Sequence, residues 1–297
     1  MTNDIQHGIT KTSTLYQDKV VTVIGVGLIG GSLALALKAK GFASRVIGVE
    51  ANDEHKRQAL ALQLVDEILP LEEAINKSDV IIIAVPVNAA DSLIEQILEQ
   101  VGQQVVIDVG STKSSICNAA LQSKNYKRFV ATHPMWGTEF SGPTAALKGA
   151  FENIAVIICN KQYSAPDALD LIENMYLGLG MHLLYRDAEA HDLHAAYVSH
   201  ISHISSFALA NTVLEKERED EAIFEMASAG FQSTVRLAKS SPGTWVPIFQ
   251  QNRDNLLDVL NEHISQLRKF KSCLEKENYT YLGELIDNAN KIKRILK

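Results

Sequence analysis

Cysteine is scarce in this sequence, basic residues are outnumbered, and no apolar run is long. The three cysteines among 297 residues, Cys117, Cys159 and Cys273, are odd in number, far apart and outside any C-x-x-C spacing. That excludes a disulfide framework and a cysteine-ligated zinc site, and it fits reduced thiols in a cytoplasmic protein. Lys and Arg total 28 against 35 Asp and Glu, for a formal charge of -7. Non-specific nucleic-acid affinity needs clustered cations, so a nucleic-acid partner is not expected. A small anionic substrate remains compatible, because local charge can oppose the total. No stretch approaches the roughly 18 apolar residues that span a bilayer, so no membrane partner is expected either. Residues 1–18, "MTNDIQHGITKTSTLYQD", lack the apolar core of a secretory signal and read as an N-terminal arm.

What is present is an ordinary globular composition, 46% hydrophobic and 21% charged, in a chain long enough for two domains. Over residues 19–186 short β-branched runs alternate with helical patterns: "KVVTVIG", "RVIGVE", "DVIIIAVP", "QVVIDVG", "RFVATHP" and "NIAVIICN". Gly or Pro closes most of them, which favours buried strands over fragments of core helix. The alternation predicts an α/β Rossmann-type, doubly wound parallel sheet. From 187 to 297 the β-branched runs stop and long amphipathic stretches, broken at "KSSPGTW", predict an all-helical domain. The charge-dense "EKEREDE" from Glu215 to Glu221 reads as a solvated helix face or a turn between helices.

"VVTVIGVGLIGGSLALALKAKG" places Gly25, Gly27 and Gly30 as G-x-G-x-x-G between a predicted strand and a predicted helix. Gly25 permits a tight turn, Gly27 lets backbone amides approach a pyrophosphate, and Gly30 lets the helix lie against the strand. Leu28 and Ile29 open the helix, whose N-terminal N–H groups favour a phosphate. The second strand ends at Glu50, twenty residues after Gly30. A carboxylate there accepts both ribose hydroxyls of an adenosine and repels a 2'-phosphate, so NAD is expected over NADP. The alternative reading of Glu50 is a helix-capping or merely exposed acid. Val85 and Pro86, in "AVPVN", close the third apolar strand and would line the same crevice.

Four histidines, His191, His194, His200 and His203, invite a metal reading. On one unbroken helix, at about 100° per residue, they point near 0°, 300°, 180° and 120°, and cannot converge on one ion. No metal is expected, and packing or solvent contact accounts for His194 and His200. His133 differs, because it ends a predicted strand, where open α/β sheets bind ligands. A histidine before a proline is also a common turn residue. Against that, Ser111 and Lys113 end the preceding strand and Glu139 follows six residues on, so polar groups collect at one sheet edge.

"VIGVGLIGGSLA", "DVGSTK", "THPMWGTEFSGP", "HDLHAAYVSHISHISS", "GFQSTVRLAKSSPGTW" and "IFQQNRDNLL" occur in that order. Together they resemble the prephenate and arogenate dehydrogenases of tyrosine biosynthesis, from Lys19 to the C-terminus. The resemblance implies a Rossmann domain followed by a helical domain that forms a homodimer, with the active site between them. It implies NAD-dependent oxidative decarboxylation of prephenate to 4-hydroxyphenylpyruvate, or of arogenate to tyrosine. By the same resemblance His133 meets the ring hydroxyl being oxidised and Ser111 lies beside that hydroxyl and the nicotinamide. His191 and His203 are active-site histidines of the helical domain, Arg236 binds a substrate carboxylate, and Trp245 and Glu139 line or gate the pocket. Where some members carry an aspartate three residues before the arginine, this chain has Ser233.

Prephenate and arogenate differ only in a keto or amino group, and no residue reads that difference; closeness to single-core NAD-dependent members favours prephenate. A β-hydroxyacid dehydrogenase would need a helical-domain lysine followed four residues on by asparagine, but Lys239 is followed by Gly243. A non-catalytic NAD-sensing dimer would have no use for His133, Ser111 and Arg236.

Overall fold

The computed structural model describes residues 17–218 and 222–295. The predicted arm at 1–18 and the end of "EKEREDE" fall almost wholly or partly outside them. Eight strands form one sheet: β1 (Lys19–Ile24), β2 (Ala43–Val49), β3 (Glu67–Ile68), β4 (Val80–Ile83), β5 (Val105–Asp108), β6 (Phe129–Pro134), β7 (Ala155–Cys159) and β8 (His182–Arg186). Their order is β3-β2-β1-β4-β5-β6-β7-β8. Six helices pack on it: α1 (Leu28–Ala39), α2 (Asp53–Ala61), α3 (Leu71–Lys77), α4 (Val87–Gln100), α5 (Ser114–Ala120) and α6 (Pro166–Gly178).

The six apolar runs are all strands, but the sheet is not wholly parallel: β6 and β7 pair antiparallel, with His133 opposite Ile157. The link between them, residues 135–154, contains no crossover helix. It runs instead over the first sheet helix, where Leu147 N donates to Ser32 Oγ at 2.9 Å, and then returns. A strand buried on both faces has the same apolar signature in either direction, so periodicity does not reveal this reversal. The sequence reading also passes over β3 and β8. One has two residues, and the other is an edge strand of alternating exposure with few β-branched side chains.

Side-chain alternation along each strand builds two cores, one per face. Val21, Val23, Val80, Ile82, Val105 and Ile107 point to the face covered by α1 and α6. Ile24, Ile81, Ile83 and Val106 point to the face covered by α3, α4 and α5. On β6, Thr132 turns to α6, where its hydroxyl shares a 2.8 Å hydrogen bond with Tyr176 OH. Ala131 and His133 therefore face the opposite side. The cysteines are free and buried, and burial pushes the Cys117 thiol up to about 12, which leaves it unreactive.

Every described element after β8 is helical: α7 (Ala188–Ala195), α8 (Ile201–Glu217), α9 (Ala229–Thr234), α10 (Pro242–Gln251), α11 (Arg253–Glu275) and α12 (Tyr279–Ala289). No described helix is long and apolar enough to cross a membrane. Glu215 to Glu217 close α8 on its exposed side, as expected of a solvated face.

Candidate active site

β1 and β4 are neighbours, yet their following helices cover opposite faces, which opens a crevice at their C-terminal ends. Gly25 sits there at φ +89°, and a Cβ on it would lie 2.6 Å from the Ala84 carbonyl oxygen. A Cβ on Gly30 would lie 2.2 Å from the Gly25 oxygen and 2.8 Å from Val23 Cγ1, so α1 can rest on β1 only with glycine there. Gly27 differs, because nothing lies within 4 Å of where its Cβ would be. Space is thus kept open at the N-terminus of α1, which no side chain caps. Leu28 and Ile29 are half-buried in the first turn, Val85 lies against Gly25, and Pro86 is exposed at the start of α4. Glu50 turns back to this loop: one carboxylate oxygen accepts from Val26 N at 3.1 Å and the other from Asn52 N at 3.0 Å. Each oxygen keeps a second lone pair for a hydroxyl.

Deeper along the sheet edge, α7 lays His191 and Asp192 over β6 and the start of α5. His133 Nδ1 lies 2.8 Å from His191 Nε2, and His191 Nδ1 lies 2.8 Å from Asp192 Oδ1. Asp192 also accepts from Lys113 N at 2.7 Å and Ser114 N at 2.9 Å. Lys113 is buried completely and pairs through Nζ with Asp108, which in turn accepts from Gly110 N and Thr132 N. This buried lattice stiffens the loop on which Ser111 sits half-exposed. Burial, and then the charges of His191, Lys113 and His200, hold the His133 pKa well below the usual imidazole value. Burial opposes ionisation of Asp192, but hydrogen bonds from His191, Ser114 and Lys113 outweigh it and lower that pKa. The site therefore presents a neutral imidazole backed by a carboxylate.

Between α7 and α8 the chain makes one π turn, Ala196–His200. A π turn advances roughly 80° per residue rather than about 100°, which brings His203 to within roughly 30° of the direction of His191. No group of three or more His, Cys, Asp or Glu among the described residues is arranged to hold a metal ion. His203 stacks on Trp245, ring centroids 3.3 Å apart, and its pKa is lowered first by burial and also by nearby Arg236. Arg236 Nη1 reaches Glu139 Oε2 at 2.9 Å, joining the helical half to the loop after β6. Glu139 thus supplies the acid partner that Ser233, exposed on α9, does not. The Glu139 carboxyl is held below its usual range by its own backbone N–H and by Arg236.

Two family models cover this chain: "Prephenate dehydrogenase, nucleotide-binding domain" over residues 33–185, and "Prephenate dehydrogenase, dimerization domain" over residues 187–288. The chain belongs to the prephenate dehydrogenase family. It is 31% identical over 262 residues to a prephenate dehydrogenase of Bacillus subtilis, covering 87% of this chain and 71% of that protein. It is 29% identical over 282 residues to a cyclohexadienyl dehydrogenase of Zymomonas mobilis, covering 94% of this chain and 96% of that protein. Its fold matches the crystal structure of Aquifex aeolicus prephenate dehydrogenase in complex with hydroxyphenyl propionate and NAD+, with a TM-score of 0.84, 28% identity, and 93% and 97% of the two chains covered.

Within this family fold, the residues named from sequence gather in two groups. Gly25, Gly27, Leu28, Ile29, Gly30, Glu50, Val85 and Pro86 surround the crevice, while His133, Arg236, Glu139, His203 and Trp245 lie along the seam of sheet and helices. His191 stands apart: it is 1% exposed with both ring nitrogens engaged, which places it behind His133 and leaves no nitrogen for substrate. Sequence reasoning missed Asp108, Asp192 and Asn252, although "DVGSTK", "HDLH" and "QQNRD" contain them. It also left His200 to packing or solvent contact without a hydrogen-bonding role. His200 is fully buried, and its Nδ1 accepts from Asn252 Nδ2 at 3.0 Å, which leaves a donating Nε2–H with no partner among the described residues. Asn252 also donates to the Asp192 carbonyl at 2.7 Å, tying the α10–α11 junction to α7.

The buried histidines make stability depend on pH. Burial lowers the His200 pKa from 6.5 to about 4, so the unfolded chain takes up that proton first as pH falls. The neutral histidine costs nothing above pH 6.5 and becomes a liability between 6.5 and about 4. At about 1.4 kcal/mol per pH unit, roughly 3 kcal/mol of unfolding free energy should be lost across that window. Urea denaturation at pH 7 and pH 5 should show about 2 kcal/mol of that loss, and less in His200→Asn. Equal losses in both proteins would place the titration elsewhere.

Proposed function

We propose that this chain oxidises and decarboxylates prephenate with NAD, residues 19–186 holding the cofactor and 187–297 the other end of the substrate. The observation that carries this reading is His133, buried at the C-terminal end of β6 on the sheet edge that also holds the open glycine crevice. The family membership, the Bacillus subtilis relative and the Aquifex aeolicus complex support the same reaction and the same cofactor. The crevice suits NAD: Gly27 leaves room for a pyrophosphate, the uncapped α1 N-terminus offers its N–H groups, and Glu50 has free lone pairs for ribose hydroxyls. Bound NAD supplies the hydride acceptor.

His133 accepts a hydrogen bond from the ring hydroxyl, with Ser111 beside it, and so pushes electron density toward the carbinol carbon. That carbon gives up its C–H pair as hydride while the ring carboxylate leaves as CO2, its bonding pair completing the aromatic ring. The hydroxyl proton ends on the phenol, so His133 polarises that proton without consuming it. Arg236 binds the side-chain carboxylate in a bidentate fork, with Glu139, His203 and Trp245 around it. The pairing of Arg236 with Glu139 also favours a second substrate: the ammonium of arogenate would meet Glu139 as its carboxylate meets Arg236. We also infer a homodimer through the helical half, because Leu267, Leu274, Tyr279 and Ile286 on α11 and α12 are exposed. A cytoplasmic setting fits the free thiols.

The cofactor reading separates two glycines. Gly30→Ala should destabilise the protein itself by about 1–3 kcal/mol, since α1 must lift off β1. Gly27→Ala should leave unfolding free energy nearly unchanged and weaken NAD binding by about tenfold or more, read by isothermal titration. NAD should exceed NADP at least tenfold in kcat/KM, about 1.4 kcal/mol, through Glu50. Tight NAD binding by Gly27→Ala would put the pyrophosphate elsewhere.

The two ends of the substrate should respond differently in steady-state kinetics with prephenate and arogenate compared. His133→Asn should lower kcat by about 10²-fold or more with little change in KM. Arg236→Gln should raise substrate KM by about two orders of magnitude, a loss of about 2–4 kcal/mol, and leave NAD affinity alone. Arg236→Lys should recover only part of it. If Arg236→Gln weakens NAD and substrate alike, the arginine is not the carboxylate anchor.

A further inference from the structure

We propose that Asp192 and His191 are positioning residues that decide which nitrogen of His133 is bare, and thereby make His133 an acceptor toward its ligand. What His133 meets rests on the substrate reading above; how the imidazoles are wired does not.

The chain of reasoning starts at two backbone amides. Lys113 N and Ser114 N can only donate, and both point at Asp192, which is 3% exposed. Two amide donors together with the His191 contact hold its carboxyl below the usual range, so Asp192 is a carboxylate, and a carboxylate only accepts. Its contact with His191 Nδ1 at 2.8 Å then requires the His191 proton to sit on Nδ1. In the neutral ring this leaves Nε2 bare. His191 Nε2 lies 2.8 Å from His133 Nδ1, so His133 must donate from Nδ1. The remaining nitrogen, His133 Nε2, carries a lone pair. Two imidazoles in series thus pass the accepting character of a carboxylate to a nitrogen it does not touch. The edge-on arrangement of the two rings, interplanar angle 66°, suits such a link and not a stack. The lowered pKa values of His133 and Asp192 agree with a neutral ring and an ionised acid.

The wiring has an energetic role as well. As hydride leaves, positive charge grows on the hydroxyl and is shared with His133. In a dry site that charge is costly unless a negative group answers it, and Asp192 answers through His191. In a serine-protease triad, where one imidazole intervenes, misdirecting the tautomer costs about 10⁴ in rate.

The test reads tautomers directly. In NAD-bound protein labelled with ¹⁵N-histidine, His133 should show a protonated Nδ1 and a bare Nε2 near neutral pH. Asp192→Asn, whose amide can donate to His191, should shift His133 toward Nε2–H. Its kcat should fall by about 10²-fold or more, with KM and NAD affinity within about threefold. His191→Gln keeps a one-way link, its oxygen accepting from His133 and its amide donating to Asp192. It should exceed His191→Leu in kcat by about tenfold or more, a difference that mere space-filling does not produce and that remains decisive if Asp192→Asn does not fold. A wild-type His133 protonated at Nε2 overturns the proposal, as does a folded Asp192→Asn enzyme with nearly full kcat or equal rates in the two His191 variants. If wild-type protein carries the Nδ1 proton yet oxidises neither prephenate nor arogenate, the relay stands and the substrate reading falls.

Discussion

A carboxylate buried at the seam between sheet and helices holds this structure in working order. Asp192 accepts from Lys113 and Ser114, where the β5–α5 turn enters α5, and from His191, while its own carbonyl accepts from Asn252 at the α10–α11 junction. A buried anion must be fully hydrogen-bonded or it is expelled or neutralised. Meeting that demand fixes α7 against the sheet, and α7 carries His191 onto His133. Sheet alternation supplies the other half, turning His133 toward α7 because Thr132 is engaged with α6.

The two ends of the site differ in wetness, and their chemistry follows the difference. Around His133, the side chains of His133, Lys113, Asp108 and Asp192 are all buried, so every dipole there acts at low dielectric. Around Arg236 the side chain is 52% exposed, and its ion pair with Glu139 is screened by water. A weak, exchangeable pair is easily displaced by an incoming carboxylate. A buried pair such as Lys113 with Asp108 is not, since freeing either partner strands a charge. In the proposed reaction, binding falls to side chains that can change partners, and polarisation to side chains that cannot.

Much of the plan is legible in the residues. The glycine spacing reads directly, because each glycine answers a local steric demand: a left-handed φ at Gly25 and helix-on-strand contact at Gly30. Strands are legible from apolar runs, yet the reversal of β7 is not, since burial on both faces erases any mark of direction. Asp192 lay in plain view inside "HDLH" and was overlooked, because an acid beside a histidine on a helix is most often solvated. Only its placement under α5 turns it into an acceptor for two amides.

The sequence by itself determined six of the eight strands, the helical second half, the crevice glycines, the strand end at His133 and the family resemblance, all of which depend on local pattern or on motifs in order. Tertiary structure alone decided which polar groups meet. Glu139 and Arg236 are 97 positions apart, and His133 and His191 are 58 apart. The π turn after α7 breaks the regular advance between His191 and His203, which the residue spacing of a regular helix cannot express. Burial did the rest, because the pKa directions of His133 and Asp192 are set by what surrounds them, and their surroundings come from every part of the chain.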